Sequence, residues 1–435
     1  MKFTIIGGGP AGFACAALLA KQGHECAVYE SRLEIPNNPE DSYPIGINSR
    51  TLHCLESIDV SVAEQARDTG RIVDAWQIYA GSRMVSNLKS GVVYGTSRAK
   101  VNYIVYDASI KNPNVKVFFG YKLIGLDFAT KQAIFETRDK TVVRVPPSAT
   151  TSEIEITRII AADGVRSIVR DSLVKNVPDF KVKLTPWTFE FRALFAEPGV
   201  GLDLSNLDTK IHYICNGMYS ATVDNGGQQQ WSCVVSTRDS DPPEVRDLVL
   251  SKTASPENIA ALRAMLVKNS PLTQELFSDD ELTRFFDRRT FRGAIVECAR
   301  LNYEEWVLLI GDAAHSVLPP VGEGINSAME DADVLAQCAL QHGFSENLFT
   351  EYNKLRHPDV LALAKYALYL NEQSKIPGEG GARLMARILQ SLAYKETIDN
   401  NLFGPLGANR KRYSKIFVLS VLSPDIQTLL WGYDK

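Results

Sequence analysis

Three glycines near the start of the chain are spaced so that they could bind a phosphate group. The segment Gly7-Gly8-Gly9-Pro10-Ala11-Gly12 fits the pattern G-x-G-x-x-G. In this pattern Gly7 permits a tight turn, Gly9 lets the backbone approach a pyrophosphate, and Gly12 lets a helix pack closely on a strand. The helix that starts here, with Ala11 in its first turn, offers unpaired N–H groups to the phosphates. The segment therefore predicts a dinucleotide site.

The residues around these glycines predict the strand, helix and strand that such a site needs. Phe3–Ile6 is a short apolar run, Phe13–Lys21 has helical composition, and Cys26–Tyr29 is a second apolar run. Glu30 ends the second run, near the position at which an acid accepts a hydrogen bond from a ribose hydroxyl. An acid there disfavours a 2′-phosphate, so we expect FAD or NAD rather than NADP. The alternative is a glycine turn with a structural role only.

A second motif lies in the middle of the chain. Ile154–Ile160 predicts a strand, and Asp163-Gly164 follows it closely. Arg166 and Arg170 come next, where they could order the pyrophosphate region. The alternative is that both arginines are solvated charges on a helix.

A third motif follows the apolar run Trp306–Ile310, which predicts a buried strand. Asp312 comes after Gly311 at the end of that strand, where its carboxylate could accept a hydrogen bond from a ribityl or ribose hydroxyl. Asp312 could instead cap a helix. Further on, Gly322-Glu323-Gly324-Ile325-Asn326 opens a helix whose N–H groups and dipole would attract an anion.

Taken in this order, the three motifs resemble those of the single-component FAD-dependent aromatic hydroxylases of the p-hydroxybenzoate hydroxylase type. The resemblance covers about residues 1–375. Within that family, the segments Ser97-Arg98, Asn112–Leu123 and Arg356–Asp359 are most similar to those of kynurenine 3-monooxygenase-like proteins. The resemblance implies FAD, NADPH (or NADH) as a transient reductant, and O2. It also implies hydroxylation of a small, electron-rich aromatic substrate through a flavin C4a-hydroperoxide.

Residue roles follow from the motifs and the resemblance together. The residues expected to bind the cofactor are Gly7, Gly9, Ala11, Gly12, Glu30, Arg50, Arg98, Asp163, Gly164, Arg166, Gly311, Asp312, Gly322, Gly324, Ile325 and Asn326. No catalytic side chain is certain, because the flavin carries the chemistry. Pro319 and His315 are the catalytic candidates, although His315 is better explained by packing beside the flavin loop.

The substrate side departs from the subfamily. Leu370 falls where relatives have a substrate-binding asparagine, with Asn371 one position off, and Glu323 stands where they usually have Gln. Arg71 is near their carboxylate-binding arginine but could be a solvated surface charge. Phe191 and Tyr213 are candidates for pocket lining or for plain core. We therefore expect an aromatic acid or amine other than kynurenine.

The expected fold class is α/β, with a Rossmann-type FAD-binding domain interleaved with a β-sheet substrate domain. Residues 1–70, 98–185 and 286–375 would form the first domain, and residues 71–97 and 186–285 the second. The stretches Trp187–Phe195 and Trp231–Val235 alternate in the way that half-buried strands do. Residues 376–435 are expected to form a C-terminal helical region.

Composition excludes several classes of protein. The chain has 435 residues and a net charge of −4, so it lacks the basic surface that nucleic-acid binding requires. Its seven cysteines are dispersed without a C-x-x-C pair, which indicates neither a zinc site nor disulfides and favours a reducing compartment.

No apolar run reaches the ~20 residues of a membrane span, and Gly7–Pro10 interrupts any signal peptide. We expect a cytoplasmic monomer or homodimer. Ile416–Leu422 and Arg410–Arg412 could rest on a membrane, although a helix packed on the protein is favoured.

Other functions stay open on the same or a related fold. A flavin reductase, oxidase or halogenase would share the motifs, but no two of the five Trp residues have the halogenase spacing W-x-W-x-I. A flavin-free binding protein of the dissociation-inhibitor type would not need the Asp163-Gly164 and Gly311-Asp312 motifs. An NAD-dependent dehydrogenase would not need the second of these motifs.

Overall fold

The computed structural model describes residues 1–89, 93–145, 158–342 and 347–373. In chain order its strands β1 to β20 are Lys2–Ile6, Glu25–Glu30, Pro44–Ile47, Arg71–Ile72, Ala75–Ala80, Arg83–Lys89, Tyr94–Ser97, Val115–Phe119, Lys122–Asp127, Gln132–Glu136, Val142–Val145, Arg158–Ala161, Val182–Pro186, Phe189–Phe195, Ile211–Cys215, Met218–Asn225, Gln228–Arg238, Ala294–Cys298, Asn302–Tyr303 and Val307–Leu309. Its helices α1 to α11 are Pro10–Lys21, Ser49–Ile58, Val60–Asp68, Arg98–Ile110, Ile168–Asn176, Pro243–Leu250, Pro256–Asn269, Asp279–Phe285, Asp312–His315, Gly324–His342 and Leu348–Gln373.

The first sheet has the strand order β19-β20-β12-β1-β2-β8, and its strands run parallel except for β19. Strands β1, β12 and β20, which precede the three predicted motifs, are adjacent and parallel. Their carboxyl ends therefore lie at one edge of the sheet. Helix α1 begins at Pro10, whose fixed φ suits the first helical position. Its alanine-rich surface is buried between α10 and α4. The predicted strand at Ile154–Ile160 is described from Arg158 onward; its earlier residues lie outside the described ranges.

The second large sheet has the order β14-β17-β16-β15-β5-β6. Strands are present where alternation predicted them, as β14 and within β17, but Phe191–Phe195 is buried throughout and not on alternate residues only. One face buries Leu194, Tyr213 and Trp231 against helices α7 and α8. The opposite face carries Phe191 and His212, and the small sheet β3-β7-β4 packs on it through β7 and β16.

The α/β class, with a Rossmann-type sheet and a separate β-sheet, is confirmed. The domain boundaries stay predictions, and residues 376–435 lie outside the described part of the chain. Among the described residues, no helix combines the length and the apolar content needed to cross a membrane. The same residues contain no group of three or more His, Cys, Asp or Glu arranged to hold a metal ion.

Candidate functional site

The glycine turn between β1 and α1 has the shape that a pyrophosphate requires. Gly7 has φ +103°, and a Cβ atom there would lie 2.4 Å from the carbonyl oxygen of Ala162. A Cβ on Gly12 would lie 2.1 Å from the carbonyl oxygen of Gly7. A Cβ on Gly9, in contrast, would meet no atom within 4 Å, so Gly9 faces open space at the N-terminus of α1. The turn fits the phosphate groups of a dinucleotide.

Glu30 ends β2 beside this turn, as predicted. Its Oε2 accepts a hydrogen bond from the Gly8 N–H (2.7 Å), and its Oε1 accepts from Nε of Arg32 (3.0 Å). Burial alone would raise the pKa of Glu30, but the hydrogen bonds and charge of Arg32 lower it below its ordinary value. Glu30 is therefore an ionised acceptor at the end of β2, where the sequence predicts the ribose contact.

Asp163 organises the second motif. Its Oδ2 accepts hydrogen bonds from the N–H groups of Ile168 (2.8 Å) and Val169 (3.2 Å), at the start of α5. Its Oδ1 is buried and has no partner among the described residues. Burial raises the pKa of Asp163 above its ordinary value, against these hydrogen bonds. Gly164 follows with φ +81° and leaves open space where a Cβ would stand.

Arg170 joins the second motif to the third. Its guanidinium is buried and donates to the carbonyl oxygens of Val165 (2.8 Å) and Ala313 (3.1 Å). Arg166, in contrast, is exposed. The two arginines therefore have different roles. Arg170 holds two loops together, and Arg166 remains accessible to a ligand.

Gly311 and Asp312 turn away from β20 at the start of α9. Gly311 has φ +55°, and its N–H donates to Oδ2 of Asp331 (2.7 Å). His315 Nε2 lies 2.5 Å from the same oxygen, and Nε of Arg356 donates to Oδ1 (2.7 Å). Although burial alone would raise the pKa of Asp331, the His315 and Arg356 charges lower it.

Asp312 and His315 consequently have different surroundings. Asp312 is half-buried and makes no hydrogen bond to a described residue, so its carboxylate is open to a ligand hydroxyl. His315 is buried and directed at Asp331, which agrees with the packing role favoured for it over that of a catalytic base.

The third motif continues into a loop before α10. Gly322 has φ +72°, and neither Gly322 nor Gly324 would bring a Cβ within 4 Å of another atom. The loop therefore leaves room for a planar ligand above the first N–H groups of α10, which include that of Ile325. Pro319 is half-buried in a short 3₁₀ turn, Pro319–Val321, beside this space.

Two residues predicted to bind the cofactor, Arg50 and Asn326, hold this loop through their side chains. Nη1 of Arg50 donates to Glu323 (2.9 Å), the residue that replaces the expected Gln. Oδ1 of Asn326 accepts from the Asn48 N–H (2.9 Å) and the Thr51 hydroxyl (2.7 Å). Their contribution to cofactor binding would thus be to fix the loop.

A cluster of arginine side chains lies beside the predicted site. Arg98 is exposed at the start of α4, and Arg289 lies over the Phe291 ring at 5.2 Å. Partial burial lowers the pKa of Arg289, and the Arg98 and Arg166 charges lower it further. Such a cluster attracts phosphate groups. The sequence analysis missed Arg289 because no local motif marks it.

Tyr43 is a second residue that the sequence analysis missed. Burial raises its pKa, the charge of Arg98 lowers it, and the charge of Asp312 raises it. Tyr43 therefore lies near residues of two different motifs. It belongs to the loop between β2 and β3, which carries no recognisable signal.

Aromatic rings form a row beside these residues. Trp187 stacks on Phe189 (5.7 Å between ring centroids), and Phe189 stacks on Phe191 (6.2 Å). Phe191 stacks on Phe291 (5.1 Å), and the edge of Tyr43 meets both of these rings, at 5.3 and 5.0 Å. We call these five residues the aromatic row. The row suits an aromatic ligand.

The four predicted substrate residues lie in different places. Phe191 belongs to the aromatic row. Tyr213 is buried on the helix-covered face of the sheet, where its hydroxyl accepts from the Asp208 N–H (2.8 Å). Arg71 is exposed on β4 and donates to the Thr209 hydroxyl (3.1 Å). Asn371 is buried near the end of α11.

The FAD binding domain family matches residues 1–366. The chain belongs to this family. A kynurenine 3-monooxygenase of Aspergillus terreus is 25% identical over 397 residues, which cover 85% of this chain and 73% of that protein. A kynurenine 3-monooxygenase of Chaetomium globosum is 26% identical over 407 residues, which cover 84% and 82%.

Solved structures share the fold. The tetrameric form of 2-methyl-3-hydroxypyridine-5-carboxylic acid oxygenase aligns with a TM-score of 0.65 at 17% identity, covering 89% of this chain and 96% of that one. A p-nitrophenol 4-monooxygenase from Pseudomonas putida aligns with a TM-score of 0.64 at 16% identity, covering 92% and 97%.

Family membership and the relatives confirm the predicted class. The chain is an FAD-dependent monooxygenase of the aromatic hydroxylase type, with NAD(P)H and O2 as co-substrates. The geometry fits the cofactor, since the strands before the three motifs are adjacent in one sheet and a Cβ at Gly9, Gly164, Gly322 or Gly324 would meet no atom within 4 Å.

Proposed function

We propose that the protein inserts one oxygen atom of O2 into an electron-rich aromatic ring other than that of kynurenine. The single observation that carries this proposal is the aromatic row, which begins at the loop of Pro319 and ends at Tyr43, near Asp312. A planar substrate placed along it would lie next to the cofactor. The names of the curated relatives support an aromatic substrate.

The three motifs would divide the binding of FAD between them. The turn of Gly7, Gly9 and Gly12 would hold the pyrophosphate on the α1 N-terminus, with the N–H of Ala11 in reach. Glu30 would accept a hydrogen bond from the ribose, and Asp312 one from the ribityl chain. FAD, when bound, supplies electron transfer from NAD(P)H and the activation of O2.

The start of α10 would favour negative charge near the flavin ring. The N–H groups of Gly324 and Ile325 belong to the first helical turn, where the helix dipole stabilises an anion. Glu323 is neutralised by Arg50, so its carboxylate does not oppose this effect. The aromatic side chains would exclude water from the same space, which strengthens electrostatic interactions there.

NAD(P)H would be attracted by the cluster of Arg98, Arg166 and Arg289. The charges of Arg98 and Arg166 both lower the pKa of Arg289, which places both near it, and Arg98 and Arg166 are exposed. Asp163 and Gly164 would shape the loop from which Arg166 extends. Transient docking on this surface requires no second nucleotide-binding fold.

Arg71 remains our proposed partner for a substrate carboxylate. We expect Arg71→Met to raise KM for an aromatic acid about tenfold, the equivalent of about 1.4 kcal/mol. Arg138→Met, at an exposed turn, serves as the matched control. An unchanged KM in Arg71→Met would show that Arg71 is a surface charge, as its exposure on β4 suggests.

A substrate screen tests the proposed function. Purified protein would be supplied with NADPH and a panel of aromatic acids, amines and phenols, with product mass measured alongside NADPH oxidation. We expect a hydroxylated product from at least one of these and poor coupling with kynurenine. Efficient, tightly coupled hydroxylation of kynurenine would contradict the substrate proposal.

The assembly and location of the protein are also proposals. We propose a monomer or homodimer, which light scattering after size-exclusion chromatography would distinguish from a tetramer. A cytoplasmic location is proposed from the dispersed cysteines, all of which are buried and lie outside disulfide bonds in the described part of the chain. The segment Ile416–Leu422, considered for membrane contact, lies outside the described residues.

A further inference from the structure

One polar atom at the end of the aromatic row is buried without a partner. The indole nitrogen Nε1 of Trp187 makes no hydrogen bond to any residue in the described part of the chain. Buried donors are nearly always paired with protein, water or ligand. We propose that Trp187 donates a hydrogen bond to a carbonyl oxygen on the aromatic substrate. This inference rests on the proposed function and specifies its substrate class.

Trp187 contacts both the apolar cluster beside the predicted cofactor loop and the next ring of the aromatic row. Its indole packs against the apolar cluster that includes Val317, Leu318 and Val321, on either side of Pro319. Its other neighbour is Phe189, on which it stacks at 16° between ring planes. A substrate ring held along the aromatic row would therefore have the indole N–H at its end next to the cofactor loop.

The backbone around Trp187 is fixed from both sides by Asn371. Oδ1 of Asn371 accepts from the N–H (3.2 Å) and the hydroxyl (3.1 Å) of Thr188, and its Nδ2 donates to the carbonyl oxygen of Pro186 (3.4 Å). Asn371 was predicted to contact the substrate. In the structure its side chain holds the residues on both sides of Trp187.

Gly293 makes room for the indole. A Cβ at this position would lie 2.5 Å from Cζ2 and 2.8 Å from Cε2 of Trp187, and Nε1 is bonded to Cε2. The backbone N–H of Trp187, not its indole, donates to the Gly293 carbonyl oxygen (3.1 Å). Replacing Gly293 by alanine would thus displace the ring without removing the donor.

Trp306 provides a matched control. Its Nε1 is also buried without a described partner, but Trp306 is 1% exposed and packs on Phe128 in the core of the first domain. It is not part of the aromatic row. An effect of indole loss on folding alone would appear in both tryptophans, whereas substrate recognition would be affected only at Trp187.

The test compares pairs of small aromatic compounds that differ in one hydrogen-bond acceptor group. Flavin-loaded protein would be titrated with 4-hydroxyacetophenone against 4-ethylphenol, and with 2-aminoacetophenone against 2-ethylaniline, following the flavin absorption spectrum. We expect the wild type to bind the acceptor-bearing member about threefold to tenfold more tightly. Trp187→Phe and Gly293→Ala should lose this preference, and Trp306→Phe should keep it.

The outcomes separate this inference from the proposed function. Equal binding within each pair by the wild type, or an unchanged preference in both Trp187→Phe and Gly293→Ala, overturns the role of Trp187 while leaving the flavin enzyme intact. If one variant fails to fold, the other decides the question. A wild-type protein that holds no flavin overturns the proposed function and this inference with it.

Discussion

At the scale of single residues, Glu30 both holds the glycine turn and presents a charged hydrogen-bond acceptor. It fixes the glycine turn through the Gly8 N–H, and Arg32 keeps it ionised. We expect Glu30→Ala to weaken FAD binding by about 1.5–3 kcal/mol, the value of a hydrogen bond to a charged group. Glu30→Gln keeps an acceptor and should lose less. Titration of the apoprotein with FAD measures both, and unchanged affinity in Glu30→Ala would exclude the ribose contact.

Asp331 is a positioning residue behind the third motif. It orients Gly311 through a backbone hydrogen bond while Arg356 and His315 balance its charge. We expect Asp331→Asn to weaken FAD binding about tenfold, or about 1.4 kcal/mol. The reason is that the turn carrying Asp312 would lose its charged anchor.

Asp333 on the same helix supplies the control for Asp331. It is also buried but binds Ser57 (3.0 Å) and Gln337 (3.0 Å), away from Gly311. Asp333→Asn should keep the wild-type FAD affinity, with folding followed by circular dichroism. An equal loss of FAD in the two variants would mean that Asp331 stabilises the core without a specific effect on the turn.

At the scale of elements, β15 contains a histidine that should make stability depend on pH. His212 Nδ1 lies 2.7 Å from the Tyr219 hydroxyl and accepts from Nε1 of Trp76 (3.2 Å). Burial lowers the pKa of His212 to about 3. Its unfolded pKa is about 6.5, so between these values the unfolded chain binds more protons than the folded chain.

His212 should therefore reduce stability as the pH falls below about 6.5, by up to about 1.4 kcal/mol per pH unit. His212→Gln, which cannot titrate, should show a shallower dependence in denaturant unfolding at several pH values. Parallel curves for the two proteins would contradict the assignment of this effect to His212.

Elements with strong local signals could be predicted from the sequence. The strands around the first glycine motif, α1 and the helix after Gly322 were predicted because apolar periodicity and glycine positions specify them locally. The aromatic row was not predicted as a unit. Phe291 and Tyr43 come from distant segments, and only tertiary packing brings them to Phe191.

The predicted site residues also divide into those whose position local sequence specifies and those whose partners depend on tertiary packing. Glu30 and Asp312 have the local positions expected: Glu30 ends β2, and Asp312 begins α9 shortly after β20, at the same edge of the sheet. Arg50 and Asn371 proved to have structural partners, and a sequence cannot show which side chains a distant loop will engage.

At the scale of the whole molecule, the site lies where the two large sheets meet. A salt-bridge network supports this arrangement: Arg288 donates to Glu40, after the first motif, and to Glu281 in α8 (2.9 and 2.7 Å). The ring of Phe195 lies 4.9 Å from the Arg288 guanidinium. The network thereby ties the turn of Glu40 to α8 and, through Phe195, to β14 of the second large sheet.

The most direct test of the central claim follows the oxygen atom. Flavin-loaded protein, NADPH and an aromatic acid selected in the substrate screen would react under isotopically labelled O2, with the product analysed by mass spectrometry. We predict a ring-hydroxylated product that carries one labelled oxygen atom, with NADPH consumed in equal amount. NADPH oxidation that yields only labelled hydrogen peroxide from every aromatic compound tested, or product oxygen that comes from water, would contradict the assignment as an aromatic monooxygenase.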